Sequence, residues 1–88
     1  MVLLNKMIKI YSTPTCPYCH LAKEFFKEKN IDFQDINVFE DENGLKEMIE
    51  KSGQMGVPVI DIDGKIIIGF NKAEIENILT NNKKNSEN

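Results

Sequence analysis

Two cysteines separated by two residues, Cys16 and Cys19, are the side chains of this 88-residue chain best suited to covalent chemistry. They follow an apolar run typical of a β-strand, Ile8 to Tyr11, and stand where a helical pattern begins near Pro17. Cysteine reacts as its thiolate, and the free N–H groups and positive dipole end of a helix stabilise an anion. We therefore predict that Cys16 is a nucleophile at a helix N-terminus.

The spacing of the two cysteines predicts different roles for them. If Cys16 is the N-cap, Pro17 occupies the first helical position, where its missing N–H costs little. Cys19 then lies one turn further along the same face, close enough for a disulfide and turned toward the body of the protein. We expect Cys19 to act as the resolving thiol, which attacks second.

The same residues allow three other interpretations. With His20, the string reads C-x-x-C-H, the attachment signature of a c-type haem. A zinc site needs four ligands, whereas two cysteines and the single histidine supply three. A structural disulfide across two residues closes so small a loop that it adds little stability. Haem attachment stays as an alternative, and we assign no role to His20.

The composition of the chain limits which classes of function are possible. A chain of 88 residues with 41% hydrophobic and 28% charged residues is one globular domain of modest size. All basic residues are lysines and the net charge is −3, which argues against a nucleic-acid partner. The apolar run at the N-terminus is too short for a secretory signal or a membrane span. We expect a cytoplasmic monomer without a membrane partner, in which a C-x-x-C pair is more often catalytic than structural.

Charge is unevenly distributed along the chain. Residues 1–30 carry five lysines against Glu24 and Glu28, whereas residues 31–63 carry nine carboxylates against Lys46 and Lys51. A locally basic dithiol end favours the Cys16 thiolate and attracts an acidic partner. Solvated helix faces explain the same distribution equally well.

The first half of the chain predicts a right-handed β-α-β unit with parallel strands. A strand is expected over Met7–Ser12, a helix from Pro17 to about Lys29 and a second strand over Ile31–Val38. The acidic run at residues 40–42 suits the start of a second helix, which Gly53 ends. The expected apolar positions of the two helices are Leu21, Ala22, Phe25, Phe26, Leu45, Met48 and Ile49.

The second half predicts a β-hairpin and a last helix. Two apolar runs flank Asp63-Gly64, a pair that suits the type I′ turn between antiparallel strands. Asn71 with Glu74 three residues later resembles a capping box, and the helix that follows has Ile75, Ile78 and Leu79 on its apolar face. We expect one domain over residues 1–80 and a polar, frayed tail over residues 81–88.

Gly56-Val57-Pro58 is the second informative motif. Proline has no N–H to give a sheet, so Pro58 belongs at the first position of a strand or in a turn. Most X-Pro bonds are trans, and the residues alone favour a trans Pro58 that marks the start of the strand. A cis Val57–Pro58 bond would account for both the glycine and the proline.

The order β-α-β-α-β-β-α, with CPYC at residues 16–19, GQMGVP at 53–58 and Asp-Gly before a last strand and Gly69, resembles the glutaredoxin branch of the thioredoxin fold over residues 7–80. The resemblance implies an α/β fold with a four-stranded mixed sheet flanked by helices. It also implies that Pro58 is cis and faces the dithiol, and that the Val57 backbone pairs with an extended thiol substrate.

The resemblance further implies thiol–disulfide exchange on protein disulfides, with no tightly bound cofactor and no metal. Electrons would come from glutathione or from a thioredoxin-reductase-type flavoenzyme. The residues that it assigns to substrate binding are Pro17, Tyr18, Gly56, Val57, Pro58, Gly69, Phe70 and Asn71.

Three departures from the family pattern bear on the electron donor. Thr13, Gly56 and the stretch Gly69-Phe70-Asn71 stand where glutathione-using members usually carry a lysine, a threonine, and a Gly-Gly with a nearby aspartate. We therefore expect a weak glutathione site. A binding protein that holds an iron–sulfur cluster between two protomers, with Cys16 and glutathione as ligands, is the alternative from another class.

Overall fold

The computed structural model describes residues 7–87 of the chain. Residues 1–6, which carry part of the apolar run considered as a secretory signal and the start of the predicted domain, lie outside this range. Residue 88, the end of the predicted tail, also lies outside it. The elements follow the predicted order: β1 (Ile8–Ser12), α1 (Pro17–Glu28), β2 (Gln34–Asn37), α2 (Glu42–Ser52), β3 (Val59–Ile62), β4 (Lys65–Ile68) and α3 (Lys72–Glu87). Among the described residues, no helix is long and apolar enough to cross a membrane.

The four strands form one mixed sheet in the order β2-β1-β3-β4. β1 pairs in parallel with β2, and the pairs β1–β3 and β3–β4 are antiparallel. The predicted four-stranded mixed sheet and the parallel β-α-β unit are therefore confirmed. Tyr11 lies opposite Val59 in the β1–β3 register, so the end of β1 and the start of β3 are neighbours at one edge of the sheet.

Each face of the sheet carries its own hydrophobic core. Side chains alternate along a strand, so Ile8 and Ile10 face α1 and α3, whereas Tyr11 faces α2. The larger core joins the sheet to α1 and α3, and its residues are Ile8, Ile10, Ala22, Phe25, Phe26, Ile60, Ile62, Ile67, Ile75 and Ile78. The smaller core, under α2, consists of Tyr11, Ile36, Val38, Met48 and Val59.

Helix α1 packs on the sheet through only part of its predicted apolar face. Ala22, Phe25 and Phe26 are buried, as expected, but Leu21 is 50% exposed. Leu21 points about 100° away from Ala22 and nearly opposite Cys19, so it lies at the edge of the buried face, beyond Phe25. The prediction for Leu21 was therefore wrong.

Strand β2 is shorter than the predicted span of residues 31–38. The Ile31 N–H donates to the Phe26 carbonyl at 2.9 Å, and Asn30 takes a left-handed conformation with φ 58°. These contacts close the C-terminus of α1 and use the Ile31 amide before a strand can begin. Ile31 and Phe33 pack against the larger core without joining the sheet ladder.

The hairpin and the last helix agree with their local signals. Asp63 and Gly64 have φ values of 55° and 96°, the positive pair that a type I′ turn requires. Asn71 Oδ1 accepts from the Glu74 N–H at 3.2 Å and so caps α3. α3 continues to Glu87, through most of the segment predicted to be a tail; the division of the chain at residue 80 stays a prediction.

An ion pair joins the end of α2 to strand β3, on either side of the segment that connects them. Gly53 ends α2 in a left-handed conformation, and Lys51, in the last turn, donates to Asp61 of β3 at 2.6 Å and to the Tyr11 hydroxyl at 2.9 Å. Burial lowers the pKa of Lys51, but its hydrogen bonds to Asp61 and Tyr11 outweigh burial and raise the net value. This contact holds the two ends of the segment that carries the predicted Val57-Pro58 site.

Replacing Lys51 tests that closure. Lys51→Met leaves the Asp61 carboxylate, whose side chain is 11% exposed, without its cation. Removing one partner of a buried pair is strongly destabilising, but Lys51 itself is 28% exposed and solvent screens part of the loss, so we expect about 1–3 kcal/mol. Urea unfolding measures it, with Lys46→Met, on an exposed position of the same helix, as the matched control. Equal unfolding midpoints for the two variants would contradict the assignment.

Candidate active site

Cys16 caps helix α1 with its sulfur. Its backbone is extended, with φ −91° and ψ 113°, and Sγ accepts a hydrogen bond from the Cys19 N–H at 3.2 Å. Pro17 occupies the first turn, as predicted. The Cys16 side chain is half-buried, so it remains open to a reactant while its sulfur faces the positive end of the helix. The predicted N-cap position of Cys16 is confirmed.

Cys19 is fully buried at 0% exposure. Burial raises the pKa of its thiol to about 12, and the hydrogen bond with Cys16 acts in the same direction. Cys19 is therefore a neutral thiol at physiological pH. The two cysteines are both free, and they differ in exposure as the spacing predicted.

The Val57-Pro58 segment lies beside the dithiol. The Val57–Pro58 bond is cis, as the resemblance implied, and the Val57 carbonyl oxygen is 4.0 Å from Cys16 Sγ. The sheet register brings them together, because Pro58 immediately precedes the β3 residue that pairs with Tyr11 near the end of β1. Pro58 is buried, and its carbonyl accepts from the Gly69 N–H at 2.8 Å.

The remaining predicted residues divide into two groups. Tyr18 is 62% exposed next to Cys16, and Gly56 is exposed beside Val57. Phe70 instead turns its ring toward α1, with its centroid 5.9 Å from that of Phe25. Asn71 caps α3, so the described contacts of Phe70 and Asn71 do not run to either cysteine.

A polar cluster under α1 was missed by the sequence reasoning. Lys23, one helical turn after Cys19, donates to Asp35 Oδ2 at 2.8 Å, and the buried Ser12 hydroxyl donates to Asp35 Oδ1 at 2.8 Å. The Lys23 charge acts against the rise in the Cys19 pKa. The i, i+4 spacing of Cys19 and Lys23 was a usable signal, but the partner on β2 had none.

The surroundings of His20 and the grouping of possible metal ligands bear on the haem and zinc interpretations. The His20 Nε2 lies 3.2 Å from the Pro14 carbonyl oxygen, on the exposed side of α1. Among residues 7–87, no three histidine, cysteine or acidic side chains are grouped closely enough to hold a metal ion. The histidine therefore has a local hydrogen-bonding role next to the loop that precedes Cys16.

Comparison with known proteins decides the family. The family model described as Glutaredoxin matches residues 8–67, which is more than half of the chain. The chain belongs to the glutaredoxin family. The glutaredoxin-like 8.6 kDa protein in the rubredoxin operon of Clostridium pasteurianum is 62% identical over 73 residues, which cover 83% of this chain and 97% of that protein.

Two further relatives agree. Glutaredoxin 3 of Escherichia coli K12 is 40% identical over 62 residues, covering 70% of this chain and 75% of that protein. The crystal structure of a mutant of the thioredoxin-like protein BC3987 superposes with a TM-score of 0.79 at 27% identity, over 83% of this chain and 94% of that one. The glutaredoxin form of the thioredoxin fold, which the sequence resemblance implied, is confirmed.

Alkylation distinguishes the two thiols of this glutaredoxin-family chain. We expect iodoacetamide to label Cys16 and to leave Cys19 unmodified from about pH 6 to about pH 9, because only a thiolate reacts and Cys19 is buried with its pKa raised to about 12. Mass spectrometry of the digested protein gives the modified position. Cys19→Ser keeps the labelling, and Cys16→Ser resists it until urea is added. Preferential labelling of Cys19 in the folded wild type would overturn the assignment.

Proposed function

We propose that this glutaredoxin-family protein reduces protein or small-molecule disulfides through the Cys16–Cys19 dithiol. The observation that carries the proposal is the cap: one sulfur lies half-exposed at a helix N-terminus, 3.2 Å from the N–H of the residue that bears the other. Family membership supports thiol–disulfide oxidoreductase chemistry, and the cis Val57–Pro58 segment beside the sulfur supplies a surface for the substrate chain.

The first step forms a mixed disulfide. The Cys16 thiolate attacks one sulfur of the substrate disulfide, a new S–S bond forms to Cys16 Sγ, and the other substrate sulfur leaves as a thiolate that takes a proton from water. The Cys19 N–H and the α1 dipole hold the attacking anion at the helix end. Tyr18 and the Val57 backbone lie next to this sulfur and would contact the substrate chain.

The second step releases the substrate. Cys19 loses its proton and attacks Cys16 Sγ, which forms the Cys16–Cys19 disulfide and expels the second substrate sulfur as a thiol. Two electrons have then passed from the protein to the substrate. Because the buried Cys19 is a neutral thiol at rest, it does not compete with Cys16 for the first attack. Its burial thus sets the order of the two steps.

The electron donor and the setting belong to the same proposal. Two thiols of glutathione, or a thioredoxin-reductase-type flavoenzyme, return two electrons to the oxidised pair. We propose the flavoenzyme as the better donor. Thr13 stands in place of the usual lysine, which would face a glutathione carboxylate, and Asn71 stands in place of the usual aspartate. We further propose a monomer in a reducing cytoplasm, where the pair returns to the dithiol form.

Single cysteine variants test the two steps. Cys16→Ser removes the nucleophile, so we expect no disulfide reduction above background. Cys19→Ser retains the first step and should accumulate a mixed disulfide with a protein substrate, because no second thiol can displace it. Non-reducing gel electrophoresis and intact mass give the readout, with Tyr18→Phe as a variant that keeps both sulfurs. Turnover by Cys16→Ser would show that the roles are reversed.

The donor preference has its own test. Thr13→Lys combined with Asn71→Asp adds the missing charges and preserves the α3 cap, and Phe70 is retained because its ring packs on Phe25. We expect glutathione-coupled turnover to rise by about 3- to 10-fold, the effect of one or two exposed charged contacts, with unchanged alkylation of Cys16.

The matched control makes the same charge changes elsewhere, with Gln34→Lys on strand β2 and Asn43→Asp in the first turn of α2, both at exposed positions. Parallel assays with glutathione plus glutathione reductase, and with thioredoxin reductase plus NADPH, compare the donors. Wild-type activity with glutathione equal to that of Escherichia coli glutaredoxin 3, or a double variant without gain, would contradict the preference.

A further inference from the structure

The Gln54 side chain holds both backbone polar groups of Gly56. Its Oε1 accepts from the Gly56 N–H at 2.7 Å, and its Nε2 donates to the Gly56 carbonyl at 3.0 Å. The same Gln54 is held at the end of α2, since the Ser52 hydroxyl, which donates to the Met48 carbonyl at 2.7 Å, also lies 3.0 Å from the backbone carbonyl oxygen of Gln54. The carboxamide thus connects the helix end to the peptide in front of Val57.

Glycine at position 56 is what makes room for this contact. A Cβ atom there would lie 2.8 Å from Gln54 Oε1, which is closer than real Cβ contacts allow. The obstructing atom is the end of a flexible side chain, so an added methyl group would displace the carboxamide and leave the fold in place. The φ of Gly56 is not positive, so its backbone conformation does not itself require glycine.

The bond to the Gly56 carbonyl also orients the next amide. In a planar trans peptide the C=O and the following N–H point in opposite directions, and the Gly56–Val57 bond is trans. With the Gly56 oxygen turned to Gln54, the Val57 N–H points away from it, and it has no hydrogen-bond partner in the described part of the chain. The Val57 carbonyl lies 4.0 Å from Cys16 Sγ.

We propose that Gln54 is a positioning residue for disulfide substrates: its carboxamide fixes the Gly56–Val57 peptide so that the Val57 N–H is presented, beside Cys16, to the backbone of an extended peptide that carries the disulfide. This inference rests on the proposed reductase function. It implies that recognition is selective for peptidic disulfides over small disulfides without backbone amides, because only the former can pair with Val57.

Three variants separate the two bonds of the carboxamide. Gln54→Ala removes both, and Gly56→Ala displaces the carboxamide. Gln54→Glu keeps an acceptor for the Gly56 N–H and loses the donor to the Gly56 carbonyl. Asn43→Ala, which removes an exposed amide at the other end of α2, is the matched control. Urea unfolding confirms that each variant is folded.

The first readout is amide hydrogen exchange of Gly56, which is independent of activity. We expect slow exchange in the wild type and in Gln54→Glu, and fast exchange in Gln54→Ala and Gly56→Ala. The second readout is KM for a peptide disulfide. It should rise about 3- to 10-fold in all three variants, the effect of one ordinary hydrogen bond. In the two Gln54 variants, reduction of bis(2-hydroxyethyl) disulfide and alkylation of Cys16 should stay within about twofold of the wild type.

A double-mutant cycle completes the test. If Gly56 acts through Gln54, Gln54→Ala combined with Gly56→Ala is no worse than either single variant. Additive losses, or a peptide KM unchanged in Gln54→Ala, would overturn the proposal while the reductase function stands. A wild type that reduces neither disulfide refutes the reductase function and, with it, the role of Gln54 in substrate binding, even if Gly56 exchange shows that the carboxamide contact exists.

Discussion

The hydrogen bond from the Cys19 N–H to Cys16 Sγ caps helix α1 and also holds the sulfur that is best placed to react. It satisfies one of the free N–H groups at the start of α1 with a sulfur, where most helices use an oxygen. A thiolate gains more from this position than a thiol does, because the donor and the helix dipole both favour negative charge. The bond also fixes the N-terminus of α1, and hence the direction in which the rest of the helix enters the core.

The burial of Cys19 follows from that helix direction. α1 lies on the sheet through Ala22, Phe25 and Phe26, and Cys19 is one turn before Ala22 on the same side. The sulfur of Cys19 is therefore a neighbour of the core and is removed from water, which keeps its thiol neutral. The difference in burial between the two thiols thus comes from where α1 meets the sheet.

The second half of the site depends on pairing between distant parts of the chain. The β1–β3 register brings residue 58 to the loop before Cys16, and the contact between Lys51 and Asp61 closes the segment from the other end. Within that segment, the Gln54 carboxamide forms hydrogen bonds with both backbone polar groups of Gly56, the residue before Val57.

The features that the sequence alone determined are local. The capping role of Cys16 depends on residues 16–19, the type I′ turn on Asp63-Gly64, and the α3 cap on Asn71 and Glu74, so each signal lies within one turn of the chain. The order of strands and helices follows from periodicity in the same way. The family resemblance added the cis Val57–Pro58 bond, which residue types alone did not favour.

Only the tertiary structure decided the contacts between elements. The 4.0 Å approach of Val57 to Cys16, the bond from Lys23 to Asp35 and the exposure of Leu21 depend on sheet register and on how α1 rotates against the sheet. Periodicity shows which residues share a face but not which residue of another element they meet. Strand β2 begins late for the same reason: the closure of α1 used the Ile31 amide, and that competition is settled by packing against Phe26.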